Sequence, residues 1–431
     1  MKSPKTLRSF ASGKNRRRWL RALLLGCVAL NRAARGQDVL APGPEGPDQT
    51  PPAVQMPNPM DVFANPPPTE GEPLKWGSFV LRPHPYYQYL YADGLRPSTN
   101  AVTTSSIQTI APGVLLQAGS HWTLDYVPIW TLYSSPLFAN SFGQSAKLVG
   151  GTVYKDWFFQ LSHGYADITA PSTVTANELQ TRTFTTELVG THSINSKLSL
   201  DLAVDQSFIS ADQFSSYDEW STLNWLNYQF RPTLVVALGV GLGYDHEPSG
   251  PEMSFEQLQG RIEWRATEKL SFRIHGGMEN RQFLTGDTSA IFNPVANNVD
   301  LIGNAVNPIF DATIQYKPFA QTRLSVTGQR VVSASYLPGE VTETTAGSAD
   351  INQRLLGKFF LDLSANYQTT KYTNASQPRR DDYYSIGAQL SHVFLKRGTI
   401  TVLYDINRDI STLPGYSYLS HQVGVQIGFA Y

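Results

Sequence analysis

The segment Thr233-Leu234-Val235-Val236-Ala237-Leu238-Gly239-Val240-Gly241-Leu242-Gly243-Tyr244 alternates with a period of two from end to end. Leu234, Val236, Leu238, Val240, Leu242 and Tyr244 share one side; Val235, Ala237, Gly239, Gly241 and Gly243 share the other. Successive side chains of a strand point to opposite faces, so this run sets large aliphatics against small residues across one sheet. Soluble strands run about 5 or 6 residues, whereas a tilted bilayer crossing takes about 9 to 11. The segment is long enough for the second. Its glycines form no phosphate cradle, which would need a following helix N-terminus.

The same alternation recurs in both directions. In Lys269 to Met278, Leu270, Phe272, Ile274, Gly276 and Met278 oppose Ser271, Arg273, His275 and Gly277. In Thr399 to Asn407, Ile400, Val402, Tyr404 and Ile406 oppose Thr401, Leu403, Asp405 and Asn407. Reading every such run predicts about 18 strands. Their centres fall near Leu81, Ala111, Tyr126, Leu148, Leu161, Thr185, Leu202, Leu223, Leu238, Leu258, Ile274, Ala312, Val326, Ala346, Leu363, Ala388, Val402 and Val425.

Short and long links alternate. Tight turns are read at Gly119-Ser120, Lys155-Asp156, Asn195-Ser196, Arg231-Pro232, Thr267-Glu268 and Arg397-Gly398. Longer links are read at Arg96–Ala101, Ala170–Thr175, Thr285–Asp300 and Asn374–Arg380. A soluble sandwich has no reason to segregate its loops in this way, but an up-and-down barrel does. Tyr316, Phe319, Tyr228, Phe230, Trp122, Trp157 and Phe394 flank the short turns, where an inner aromatic girdle would lie. Tyr87, Tyr89, Tyr133, Tyr336 and Tyr416 lie near the opposite ends. The fold expected is all-β: a transmembrane up-and-down antiparallel β-barrel occupying residues 76–431.

Composition agrees. The chain of 431 residues has a formal net charge of −1 and only 16 % charged residues, against roughly 25 % in soluble proteins. Mean hydropathy is nevertheless negative, at −0.25, so the polarity comes from uncharged Ser, Thr, Asn, Gln and Gly. That balance suits a wall with lipid on one face and water on the other. It offers no field for nucleic acid.

The N-terminus reads as an export signal over residues 1–36. Lys14, Arg16, Arg17 and Arg18 precede an apolar stretch from Trp19 to Leu30, and Ala34 and Gly36 precede a cleavage site before Gln37. Leu24-Leu25-Gly26-Cys27 also resembles a lipobox, the alternative in which Cys27 is lipidated. Cys27 is the single cysteine, so disulfide scaffolds and thiolate metal sites are excluded. From Gln37 to Lys75 prolines recur, and the segment reads as a periplasmic linker.

No catalytic or metal constellation stands out, and no cofactor is expected. Ser162 and His163 are adjacent on a strand and so face opposite sides. Asp245-His246-Glu247 reads as a solvated loop at a strand end. The candidate functional surface is the inward face, with Arg273, His275, Glu279 and Arg281 on one strand. Asp311, Lys317 and Arg323 follow on its next two neighbours, and Asp362 and Asp405 on later strands. These either set a transverse field on permeating solutes or are paired charges that solvate a barrel interior. A constriction is expected from Thr285–Asp300.

In hydrocarbon an open sheet edge leaves backbone groups unpaired, so the last run must pair with the first, near Phe79 to Tyr91. In that last run Val423, Val425, Ile427, Phe429 and Tyr431 share a face, and this end looks like the C-terminal assembly signal of outer-membrane barrels, although such signals more often end in Phe. The region from Leu223 to Tyr431 resembles the β-barrel porin family often found beside exopolysaccharide production genes. The resemblance rests on Asn307-Pro308-Ile309-Phe310-Asp311-Ala312, on Tyr316 leading to Thr322-Arg323-Leu324-Ser325-Val326, and on Gln353-Arg354-Leu355-Leu356-Gly357. It implies an outer-membrane pore or scaffold linked to polysaccharide export, with lipid, the barrel-assembly machinery and export components as partners. It implies no catalytic residues.

Overall fold

The structure is a computed structural model that describes residues 74–98, 101–171, 178–212, 214, 216–248, 252–285, 305–335, 340–373, 378–395 and 397–429. The export signal and nearly all of the linker lie outside these. The wall begins with β1 (Leu74–Trp76), two residues inside the expected linker, which turns back on β2 (Phe79–Ser98). There follow β3 (Ala101–Ala118), β4 (Trp122–Tyr133), β5 (Ser141–Tyr154), β6 (Trp157–Pro171), β7 (Glu178–Ser193), β8 (Leu198–Ala211) and β9 (Tyr217–Arg231). Next come β10 (Leu234–His246), β11 (Glu252–Arg265), β12 (Leu270–Thr285), β13 (Ala305–Phe319) and β14 (Thr322–Ala334). The last are β15 (Val341–Leu355), β16 (Phe359–Thr373), β17 (Arg379–Phe394), β18 (Gly398–Ser411) and β19 (Tyr418–Phe429).

Each long strand pairs antiparallel with the next, and β19 closes on β2 through Gln422–Gly428 against Tyr86–Ala92. Among the described residues the result is a closed barrel of 18 strands, β2 to β19. Every expected strand centre falls inside one of them. Arg96–Ala101 is not a long link, however: β2 and β3 run on to Ser98 and Ala101, bending through bulges around Gly94. Apart from that link, short turns gather at one rim and longer connections at the other.

The two faces sort as the period dictates. Leu238, Val240, Leu242, Leu258, Met278, Val326, Ile386 and Val402 each expose more than half of their surface on the exterior. Among the rings expected beside the short turns, Trp122, Tyr228, Phe230, Tyr316 and Phe319 are exposed there too. Two rings assigned to the opposite girdle turn inward instead. Tyr133 stacks on Phe138, whose loop between β4 and β5 folds into the lumen, and Tyr416 covers Arg379. Tyr336 lies outside the described residues. No helix among the described residues is long and apolar enough to cross a membrane.

The closing seam depends on a glycine. A Cβ on Gly424 would lie 2.4 Å from the Tyr89 carbonyl oxygen and 2.5 Å from Leu90 Cδ2. Gly424→Ala is therefore expected to force β19 from β2 and cost about 1–3 kcal/mol, whereas Gly260→Ala, with nothing within 4 Å, should be nearly neutral. Urea midpoints of the vesicle-reconstituted barrels would separate the two. Equal midpoints would mean that the seam tolerates the added carbon.

Candidate functional site: the luminal wall

Inward residues of neighbouring strands lie side by side, so the register turns isolated polar residues into networks. On β8, β9 and β11, Arg261 Nη2 donates to Asn227 Oδ1 at 2.6 Å and to Asp201 Oδ2 at 3.2 Å. Asn227 Nδ2 in turn donates to Asp201 Oδ2 at 2.7 Å. The Arg261 guanidinium lies over the Trp225 ring, 4.5 Å from its centroid. Glu263 continues the network to Arg273 at 4.0 Å, and His275 approaches Asp311 at 4.0 Å.

Further toward the long-loop rim, Arg281 is a buried hub. Its Nη1 donates to Asp245 Oδ2 at 2.5 Å, its Nε donates to Glu279 Oε1 at 2.9 Å, and it lies over Phe255. Gln257 Nε2 donates to the other Glu279 oxygen at 2.8 Å, and Gln257 Oε1 accepts from Gln259 Nε2 at 2.8 Å. Asp245 is 1 % exposed. The reading of Asp245 as part of a solvated loop is corrected: it is the penultimate residue of β10, and the luminal register seats it opposite Met253.

A third network rims the mouth. Arg379 is clasped between the rings of Tyr372 and Tyr416 and binds both oxygens of Asp381. Asp409, on the neighbouring strand, is 1 % exposed between Tyr383 and Tyr418 in the ladder.

The expected inward residues thus differ in exposure, with His275, Asp311, Asp362 and Asp405 half-buried. Glu279 and Arg281 are buried. Arg273 keeps 46 % of its side chain exposed, and Lys317 and Arg323 are exposed. Arg323 Nε donates to Asn352 Oδ1 at 2.9 Å, and Asn352 donates to Asp362, so these form one short chain across β14, β15 and β16. Asp405 stands over Gly387, whose missing side chain makes room for it. Lys317 lies at the irregularity between Tyr316 and Phe319, beside a short turn. Val425, Ile427 and Phe429 share the exterior face; Tyr431 lies outside the described residues.

Arg261, Asp201, Asn227, Arg379, Asp381 and Asp409 escaped the sequence reading. Arg261 carried a signal, since Gln257, Gln259, Arg261 and Glu263 share the polar side of their strand. Ser162 and His163 do face opposite sides, and His163 Nδ1 meets Thr186 Oγ1 at 2.9 Å on the exterior. Among the described residues, no group of three His, Cys, Asp or Glu side chains could hold a metal ion.

A closed sheet with a largely polar lumen, a mostly apolar exterior and an aromatic girdle has the organisation of barrels that sit in outer membranes. The protein is an outer-membrane β-barrel. No family model matches the chain, and no curated protein does. Among solved structures it is similar to OccAB3 of Acinetobacter baumannii, at 10 % identity and a TM-score of 0.44, covering 81 % of this chain and 99 % of that one. It is also similar to OccK8 (OprE) of Pseudomonas aeruginosa, at 9 % identity and 0.44, covering 81 % and 98 %. OccK5 (OpdH) of the same organism gives 12 % identity and 0.42, with 81 % and 98 % covered. At that distance the architecture stands on this chain's own strand pairing.

Proposed function

We propose that the barrel is a porin-like channel for hydrophilic solutes. The observation that carries this reading is the exposed charge left on the luminal wall toward the short-turn rim, with Arg273 and Arg323 as its clearest members. An ionised side chain is costly away from water unless paired, so such a wall suits an aqueous path. Conductance of the purified protein in planar bilayers tests it. A folded, silent barrel would count against it.

Replacing Arg273 and Arg323 together with Glu should shift ion selectivity toward cations, most visibly at low salt, where screening is weakest. Reversal potentials across a salt gradient read this directly. Unchanged selectivity in a conducting double variant would put both arginines outside the path.

A narrower proposal comes from the resemblance to exopolysaccharide-associated porins: the solute is a polysaccharide, and the Gln37–Lys75 segment engages periplasmic export components. Co-purification of such components, lost when that segment is deleted, is the expected result. The second reading is a non-conducting scaffold. One observation favours it: the end of the β14–β15 hairpin is buried on both faces, with Val332, Ser333, Ala334, Val341 and Thr342 all under a tenth exposed.

A further inference from the structure

We infer that the wall carries a lateral portal between β13 and β14, through which single-chain amphiphiles pass between the lumen and the outer leaflet. β12 and β13 stay paired out to Arg281↔Ala305, and β14 and β15 out to Ala334↔Val341. Between β13 and β14 the ladder stops at Phe310↔Arg330. Beyond that point β14 tucks inside. Val332, Ala334 and Val341 continue the face on which Val326 and Ile351 meet lipid lower down, yet they form one buried cluster with the luminal side chains Ile209, Tyr217 and Met253. The two edges therefore overlap. The seam leads from the lipid face to one of the apolar patches inside the lumen.

The parted edges are finished chemically. Pro308 has no N–H to leave unpaired, and its carbonyl accepts Arg330 Nε at 3.0 Å. The Val332 carbonyl accepts Arg281 Nη2 at 3.2 Å. Unpaired backbone groups are costly in lipid, so a seam capped by a proline and two arginines is a stable feature of the wall rather than a fray.

Its height fits an acyl chain. Phe310 lies roughly 15 Å up the wall from the Tyr316 girdle, at about 3.4 Å per residue and a tilt near 40°. The apolar band is about 25 Å tall, which places the seam within the outer leaflet. Val306 stands exposed on its exterior lip, and the Arg330–Glu343 ion pair, at 2.8 Å, lies beside the point where the ladder ends. The inference needs the membrane placement but not ion conduction.

The test uses the full chain lacking Cys27, reconstituted in phosphatidylcholine vesicles, with Ile309→Cys and Val331→Cys set across the seam. A bis-maleimide bridges the pair if oxidation does not. The probes are dodecanoate and a lysophosphatidylcholine, each with a diazirine on its tail, and the readout is the mass-spectrometric adduct at Met253. Labelling of Met253 in the unlocked protein should fall at least fivefold on locking, while heat-modifiable migration persists. Locking-sensitive labelling by dodecanoate alone assigns the portal to free fatty acids; labelling by both assigns it to single-chain lipids generally. Met253 unlabelled before locking, or labelled equally after it, would overturn the portal. Conductance recorded on the same samples tests the pore separately.

Discussion

Arg281→Met is expected to cost the barrel about 3–5 kcal/mol, the range for breaking a buried ion pair by removing one partner. The loss exceeds that of a surface pair because Asp245 and Glu279 stay behind, at 1 % and 2 % exposure, with their guanidinium gone. The Val332 carbonyl also loses its donor. Denaturant unfolding followed by heat-modifiable migration would show a much lower midpoint. Combining Arg281→Met with Asp245→Asn and Glu279→Gln should recover part of the loss, because neutral side chains need no counter-charge. Arg273→Met, on the same strand and face but half in water, should move the midpoint little. Similar losses for Arg273→Met and Arg281→Met would mean that Arg281 is solvated and the hub is not formed.

The second large effect concerns the lipid face. Leu238→Arg should impair assembly, since an arginine near the bilayer midplane costs roughly 2–4 kcal/mol. Val402→Arg should behave alike, because Val402 is as exposed on the exterior as Leu238. On the luminal face, Val235→Arg is the fair contrast: it lies near the short-turn rim and is half-buried. Thr401 shares the luminal side but is 3 % exposed and meets Ser391 Oγ at 2.8 Å. Thr401→Arg is therefore expected to be damaging as well, by overpacking rather than by charge in lipid. Assembly yield after refolding into vesicles separates these. Equal damage from Leu238→Arg and Val235→Arg would mean that both faces are dry.

The wall was largely legible from the chain alone. In β10, Leu234 to Tyr244 alternates without a break, and because the side-chain period of a strand is two, that pattern fixes both the element and its lipid side. The same reasoning placed Arg273, His275, Glu279 and Arg281 on one inward face. It could not say that Arg281 is buried while Arg273 is wet. The partners of Arg281, Asp245 and the Val332 carbonyl, are 36 and 51 positions away along the chain. Asp245, three residues from a proline-containing loop, looked like a strand end in water because nothing local reveals what stands opposite it.

What the sequence determined by itself is therefore local and periodic: strand identity, facing, the sorting of short and long links, and the need to close. What only the tertiary structure decided is which inward side chains meet, which of them are dry, and that β14 leaves β13 after Arg330. The reason is that alternation is encoded within each strand, whereas pairing energy and burial belong to neighbours brought together by register. Val332 and Val326 lie on the same side of one strand and read alike in sequence. One meets lipid and the other is buried, because the ladder beside it ends.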